Sequence, residues 1–161
     1  MKIRTLSGWL GLLMLVLVGC GSGGDGTLEV TDVWARTSPA AAANSAFYMN
    51  ITNNTGADEE LLAAATDACG VAELHEMFEG DEGVMVMQPV PGGKIAIPDG
   101  ETVSLKVGGL HVMCLDKQVE FNAGDEIPLI LTFAQAGEMT VTAEVRDSEG
   151  GMEMEHDGMA E

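Results

Sequence analysis

Between Leu28 and Val145, short runs rich in Val, Ile, Leu and Thr alternate with clusters of Gly, Asn, Asp and Pro, and few helical periods interrupt them. That punctuation points to an all-β sandwich or barrel, because β-branched residues favour strands and the clusters supply turns. The spacing predicts strands over residues 28–35, 46–52, 60–64, 71–77, 84–88, 94–97, 102–107, 111–115, 127–133 and 139–145. Turns are expected at 53–56, 80–83, 91–93, 99–100, 108–109, 122–125 and 136–137, with a loop or helical turn over 38–44. No internal repeat is evident.

Inside this frame, soft donors concentrate between residues 75 and 113: His75 with Met77, Met85 with Met87, and His111 with Met113. Residues two apart in a strand share a face, so each pair can present two donors to one side. Thioether sulfur is soft and imidazole borderline, and a set of Met and His without carboxylate selects monovalent copper over zinc, calcium or magnesium. Met needs no deprotonation to bind and cannot be lost to disulfide formation, which suits an oxidising compartment. Taken singly, Met85, Met87 or Met113 reads as strand core, since Met fills irregular apolar gaps. His-x-Met at both ends with Met-x-Met between shifts the reading towards a metal. Trp34 and Tyr48 read as core rather than site. Phe78 reads as packing or as a shield for the ion.

The segments VTDVWART, AFYMNITN, VAELHEM, GVMVMQPV, IPDGETVSLKVGGLHVM and IPLILTF resemble the extracytoplasmic copper chaperones of the PCu(A)C family over nearly all of Leu28 to Val145. That family's motif is a histidine, a later methionine and a distant His-x-Met, which correspond to His75, Met87, His111 and Met113 here. Glu76 stands after the first histidine where many members have methionine. The interval from Met87 to His111 is slightly long, and the extra residues fall in the turn around Pro91, Gly92 and Gly93, where length changes are tolerated. The resemblance implies a single-domain Greek-key β-sandwich, cupredoxin-like or immunoglobulin-like. It also implies a non-enzymatic carrier of Cu(I) that supplies the dinuclear CuA centre of a cytochrome c oxidase subunit, with a Sco-type thiol or copper protein as a further partner. Met77 and Met85 are additional donors, Met77 being the leading reserve ligand because it shares a strand face with His75.

Residues 1–19 carry Lys2 and Arg4, then an apolar run from Leu6 to Val18, in the order of a secretory signal and too short for a confident membrane span. Leu17, Val18, Gly19 and Cys20 resemble a bacterial lipobox, with Cys20 as the lipidated residue and 20–27 as a Gly-rich tether. The protein is then an exported lipoprotein at the outer face of the cytoplasmic membrane or in the periplasm, with lipid as its only membrane attachment. The alternative is a plain secretory signal, or an uncleaved anchor, with an incidental cysteine. Loss of Lys2 and Arg4 with the signal moves the formal charge from −19 to −21. Such a surface repels nucleic acid and anionic lipid and favours cations or basic proteins. What remains is enough for one domain, residues 28–146, with one core.

Two further cysteines in an exported chain, Cys69 and Cys114, suggest a disulfide joining the two His-bearing strands. The competing reading makes Cys114 a thiolate ligand, against which alternation turns Cys114 away from His111 and Met113. Residues 147–161 are acidic and without β-branched residues, the composition of a disordered tail. Met152, Met154, His156 and Met159 make this tail either a second, weaker copper site, open to Cu(II), or a solvated acidic end with incidental donors.

Two other classes compete with the carrier. A cupredoxin-type electron carrier needs a thiolate with its histidines, and no His follows Cys114 until the tail. A copper buffer or resistance protein would differ in its partner rather than its site. No serine-nucleophile, His-Glu-x-x-His or phosphate-loop motif supports a hydrolase.

Overall fold

The computed structural model describes residues 26–80 and 83–147. The signal, Cys20, the tether and the tail donors Met152, Met154, His156 and Met159 therefore lie outside the described residues. Ten strands follow one another: β1 (Leu28–Arg36), β2 (Ser45–Asn53), β3 (Glu59–Ala65), β4 (Cys69–Glu79), β5 (Met85–Pro89), β6 (Ile95–Ile97), β7 (Thr102–Leu105), β8 (His111–Lys117), β9 (Glu126–Phe133) and β10 (Gly137–Arg146). All ten expected strands are present, and the differences lie at their ends. β7 stops at Leu105 rather than Val107 because the Lys106 and Leu110 backbones bond to each other (2.7 Å) and close a turn. β4 runs on to Glu79 because Met85, Val86 and Met87 pair with it there. Among the described residues no helix is long and apolar enough to cross a membrane.

Hydrogen bonding links the strands in the order β5-β4-β8-β2-β1-β10-β9-β3-β6, with β7 pairing β2 beyond the end of β8. The ladder folds over one core as a β-sandwich of the cupredoxin-like and immunoglobulin-like kind. Phe47, Met49 and Ile51 of β2, Val112 and Cys114 of β8, and Leu129, Leu131 and Phe133 of β9 meet inside it. β9 shows the cause plainly: Ile127, Leu129, Leu131 and Phe133 are buried while Glu126, Pro128 and Ile130 are exposed, the period of two that a strand imposes. β1 pairs antiparallel with β2 on both sides of a bulge between Thr31 and Trp34, where Asp32 has a φ of 46°, and beyond the bulge its other edge pairs parallel with β10. Asp32 is held there by Arg146 at 2.7 Å.

One buried carboxylate ties the far half together. Glu59, 3% exposed, accepts backbone N–H bonds from Glu60 (2.8 Å), Gln135 (2.9 Å) and Ala136 (2.8 Å), so β3 clamps the β9–β10 turn. Burial alone would push its carboxyl up, but these N–H groups outweigh it and hold the pKa below the ordinary 4.5. Such a group contributes its full stability above the unfolded value, and the contribution is lost as pH falls through the lower folded value. Glu59→Gln is therefore expected to cost about 1–3 kcal/mol at neutral pH. In urea unfolding the gap between wild type and variant should narrow as pH falls below the ordinary carboxylate range. A gap independent of pH would show that the charge is not what stabilises the clamp.

Candidate metal centre

The donors meet on one face of the sheet segment β5-β4-β8-β2, through register. Antiparallel pairing of β4 with β8 sets His75 opposite His111, and pairing of β4 with β5 sets Met77 opposite Met87. Alternation then adds Met85 beside Met87 and Met113 beside His111 on the same face. On β2 the partner of Met113 is Ala46, whose single methyl leaves open space above it. His75 and Met87 lie mid-strand and only His111 begins one, because it is lateral pairing that collects them.

Met77, Met85, Met87, His111 and Met113 border a cleft of about 550 Å³, with Tyr48 and Arg36 on its far side. The described residues that line it include no carboxylate; Glu73, opposite Met113 on β4, is turned to His75. The His75 and His111 rings lie 5.9 Å apart, centre to centre, and are 9% and 2% exposed. Met87 and Met85 are 46% and 50% exposed, whereas Met77 and Met113 are half-buried. The set thus runs from sheltered imidazoles to wet thioethers.

Each imidazole is held by one nitrogen. Nδ1 of His111 donates to the Gly109 carbonyl at 2.9 Å, which leaves the Nε2 lone pair free. The same carbonyl accepts the Met77 N–H at 3.1 Å, so the turn that orients His111 is fastened to β4. That turn passes through Gly108 at a φ of 77°, which favours glycine. Burial lowers the His111 pKa below the usual 6.5; the Gly109 bond opposes this and the neighbouring His75 adds to it. His111 is therefore neutral at neutral pH, the form that binds a metal.

Nε2 of His75 donates to Glu73 Oε2 at 3.0 Å. Its Nδ1 is buried and has no hydrogen-bond partner among the described residues. An orphaned lone pair in the interior costs free energy unless something fills it. Carboxylate on one nitrogen and an open lone pair on the other is how metal-binding histidines are oriented. Among the described residues no three His, Cys, Asp or Glu side chains converge to hold an ion. What the face offers is two imidazoles among thioethers, a donor set that fits a soft monovalent cation.

Reading the sequence alone passes over Glu73, although Glu-x-His already places a carboxylate on the histidine's own face. Tyr48 is buried, 5% exposed, as expected of an aromatic strand residue, but on the cleft side of β2. Phe47, Met49 and Ile51 occupy the core side of β2, so alternation sends Tyr48 to the cleft side, where it stacks on Trp34 (4.4 Å) and lies 6.2 Å from the His111 ring. Trp34 is only half-buried. Phe78 points to the face opposite Met77, is 40% exposed, and neither shields the cleft nor joins the core.

Cys69 and Cys114 form a disulfide between β4 and β8, with Cα atoms 5.4 Å apart. Cys114 is wholly buried on the core face, so in this state it has no thiolate to offer the cleft.

Residues 28–145 match the family described as "Putative lipoprotein LpqE-like". A lipoprotein of Leifsonia xyli subsp. xyli, Lxx21020, is 28% identical over 153 residues, which span 88% of this chain and 89% of that protein. The apo PCuAC domain of PmoF1 superposes with a TM-score of 0.61 at 24% identity, over 75% of this chain and 94% of that domain. The Cu(I) form of DR1885 from Deinococcus radiodurans superposes with a TM-score of 0.58 at 25% identity, over 82% of this chain and 86% of that one. In fold it is like the PCuAC domains, and by its match over residues 28–145 the chain belongs to the LpqE-like family.

Proposed function

We propose that this protein is a copper-binding metallochaperone, not an enzyme, and that it carries one Cu(I) on His75, Met87, His111 and Met113. The observation that carries this reading is the buried, unpartnered Nδ1 of His75, its ring 5.9 Å from that of His111, beside a cleft edged by thioethers. Thioether and imidazole donors leave the ion its single charge, and the thioethers need lose no proton to bind. The thioether of Met87 lies in the wet part of the cleft, where an acceptor's ligands can replace it one at a time and copper need never be free. Likeness to DR1885, whose solved form holds Cu(I), supports the choice of ion.

The finer reading takes residues 1–19 as a signal, Cys20 as the lipid attachment, 28–146 as the copper domain and 147–161 as an accessory tail. Met152, Met154, His156 and Met159 would form a weaker site there, open to Cu(II). The acceptor is the CuA subunit of a cytochrome c oxidase, with a Sco-type protein assisting. A deletion strain that respires normally but is sensitive to copper would instead favour a buffer.

The test is an anaerobic titration of Cu(I) against a chromophoric chelator, with Met113→Ile as the comparison. The wild type should take up one tightly held ion in the cleft. Met113→Ile should weaken it at least about tenfold, while the metal-free protein changes by less than about 1.5 kcal/mol, as a volume-conserving swap does. Equal affinities would remove Met113 from the ligand set.

A further inference from the structure

The cleft holds more thioethers than a four-coordinate site with two imidazoles needs. Met77 and Met87 are direct partners across β4 and β5, and Met85 is two residues from Met87 on the same face, diagonal to Met77. Directly opposed residues have Cβ atoms about 5 Å apart and diagonal ones about 7–8 Å, within reach of an unbranched side chain with three rotatable bonds. All three border the cleft, and none belongs to the packed core, where Met49, 1% exposed, shows what a core methionine looks like here. β5 is the outer strand of the sheet, a place where charged side chains usually guard the edge. Here it presents two thioethers at about half exposure instead.

We propose that Met77, Met85 and Met87 form an outer position for a soft monovalent cation, with Met87 common to it and to the inner set of His75, His111 and Met113. This goes beyond the inner-site reading and extends its path. Three thioethers supply only neutral, soft donors, so the outer position holds Cu(I) without competition from protons and more weakly than the imidazole-bearing set. Because Met87 serves both, the two positions are alternatives for one ion. Passage between them is ligand exchange: Met87 stays bound while Met77 and Met85 replace the imidazoles and Met113, and copper remains monovalent with no electron or proton moved. The outer position lies on the sheet's edge strand, so it is the point of first and last contact with a partner.

The experiment uses the mature full chain labelled with 13C at the methionine ε-methyls, with silver(I) and anaerobic Cu(I) as probes. In wild type, one equivalent should shift Met87 and Met113 most, with smaller shifts at Met77 and Met85. In His75→Ala/His111→Ala, the methyls of Met77, Met85 and Met87 should still shift together, and adding Met77→Leu/Met85→Leu should abolish the Met87 shift. If that background folds poorly, Met113→Ile serves, and the Met85 shift should grow relative to wild type. Unmoved Met77 and Met85 methyls in a folded His75→Ala/His111→Ala protein, or an unchanged Met85 shift in Met113→Ile, would overturn the outer position. Shifts on the hairpin in wild type with none at Met113 would overturn the inner-site reading and leave the outer position standing.

Discussion

Replacing His111 with alanine should weaken Cu(I) binding by more than about 100-fold, the upper end of what loss of an orienting group around a metal costs. His111 is the donor most completely prepared in advance. Its ring is 2% exposed, its Nδ1 is committed to Gly109, and burial keeps it neutral, so Nε2 binds with almost no rotamer freedom left to lose. The Gly109 carbonyl keeps the Met77 N–H as a partner after the change, so the turn is not left unsatisfied. Chelator competition measures the affinity, and circular dichroism of the metal-free variant checks that the sheet persists. A folded variant with wild-type affinity would remove the cleft from consideration as the copper site.

The second large effect concerns the disulfide. Cys69 and Cys114 are 45 residues apart in sequence, and closing a loop of that length in the unfolded chain is worth about 4 kcal/mol in the chain-entropy account. Cys69→Ala/Cys114→Ala, or reduction, should therefore lower the thermal midpoint by roughly 10–20 °C for a domain of this size. The bridge also joins the two strands whose register sets His75 against His111, so copper affinity should fall with it. A midpoint within a few degrees of wild type would mean that the paired strands and the core around Cys114 suffice without the bond.

The strands were legible in the sequence because period-two burial and turn residues are local signals. β9 and the 91–93 turn can be read from a few residues each. Register is not local. That His75 faces His111, rather than a residue two places along β8, depends on the β4–β8 ladder as a whole. The residue types of the candidate site could therefore be read, and its shape could not. The orphaned Nδ1 of His75 and the part played by Glu73 emerge only once a ring is seated among neighbours. The burial of Tyr48 was legible but not its side: β2 is covered on both faces, and an aromatic residue in such a strand does not reveal which one it fills. Glu59 had no sequence signature at all, since its partners come from a turn far along the chain.

The edge position of β5 bears on how tightly the molecule is obliged to grip. β4 and β8 are joined by a covalent bond and a ladder running from Cys69–Lys117 to His75–His111, whereas β5 is attached to β4 without such a bond, through the five pairs from His75–Pro89 to Glu79–Met85 and the backbone bonds Gly80–Val84 and Val90–Leu74. Segments with few ladder bonds and wet side chains open at a small fraction of the global unfolding free energy. In the copper reading proposed above, the two imidazoles then belong to a fixed jaw and Met85 and Met87 to one expected to open more readily. Release is expected to need only the opening of that jaw, at a cost set by the length of β5, while the hydrophobic core stays shut.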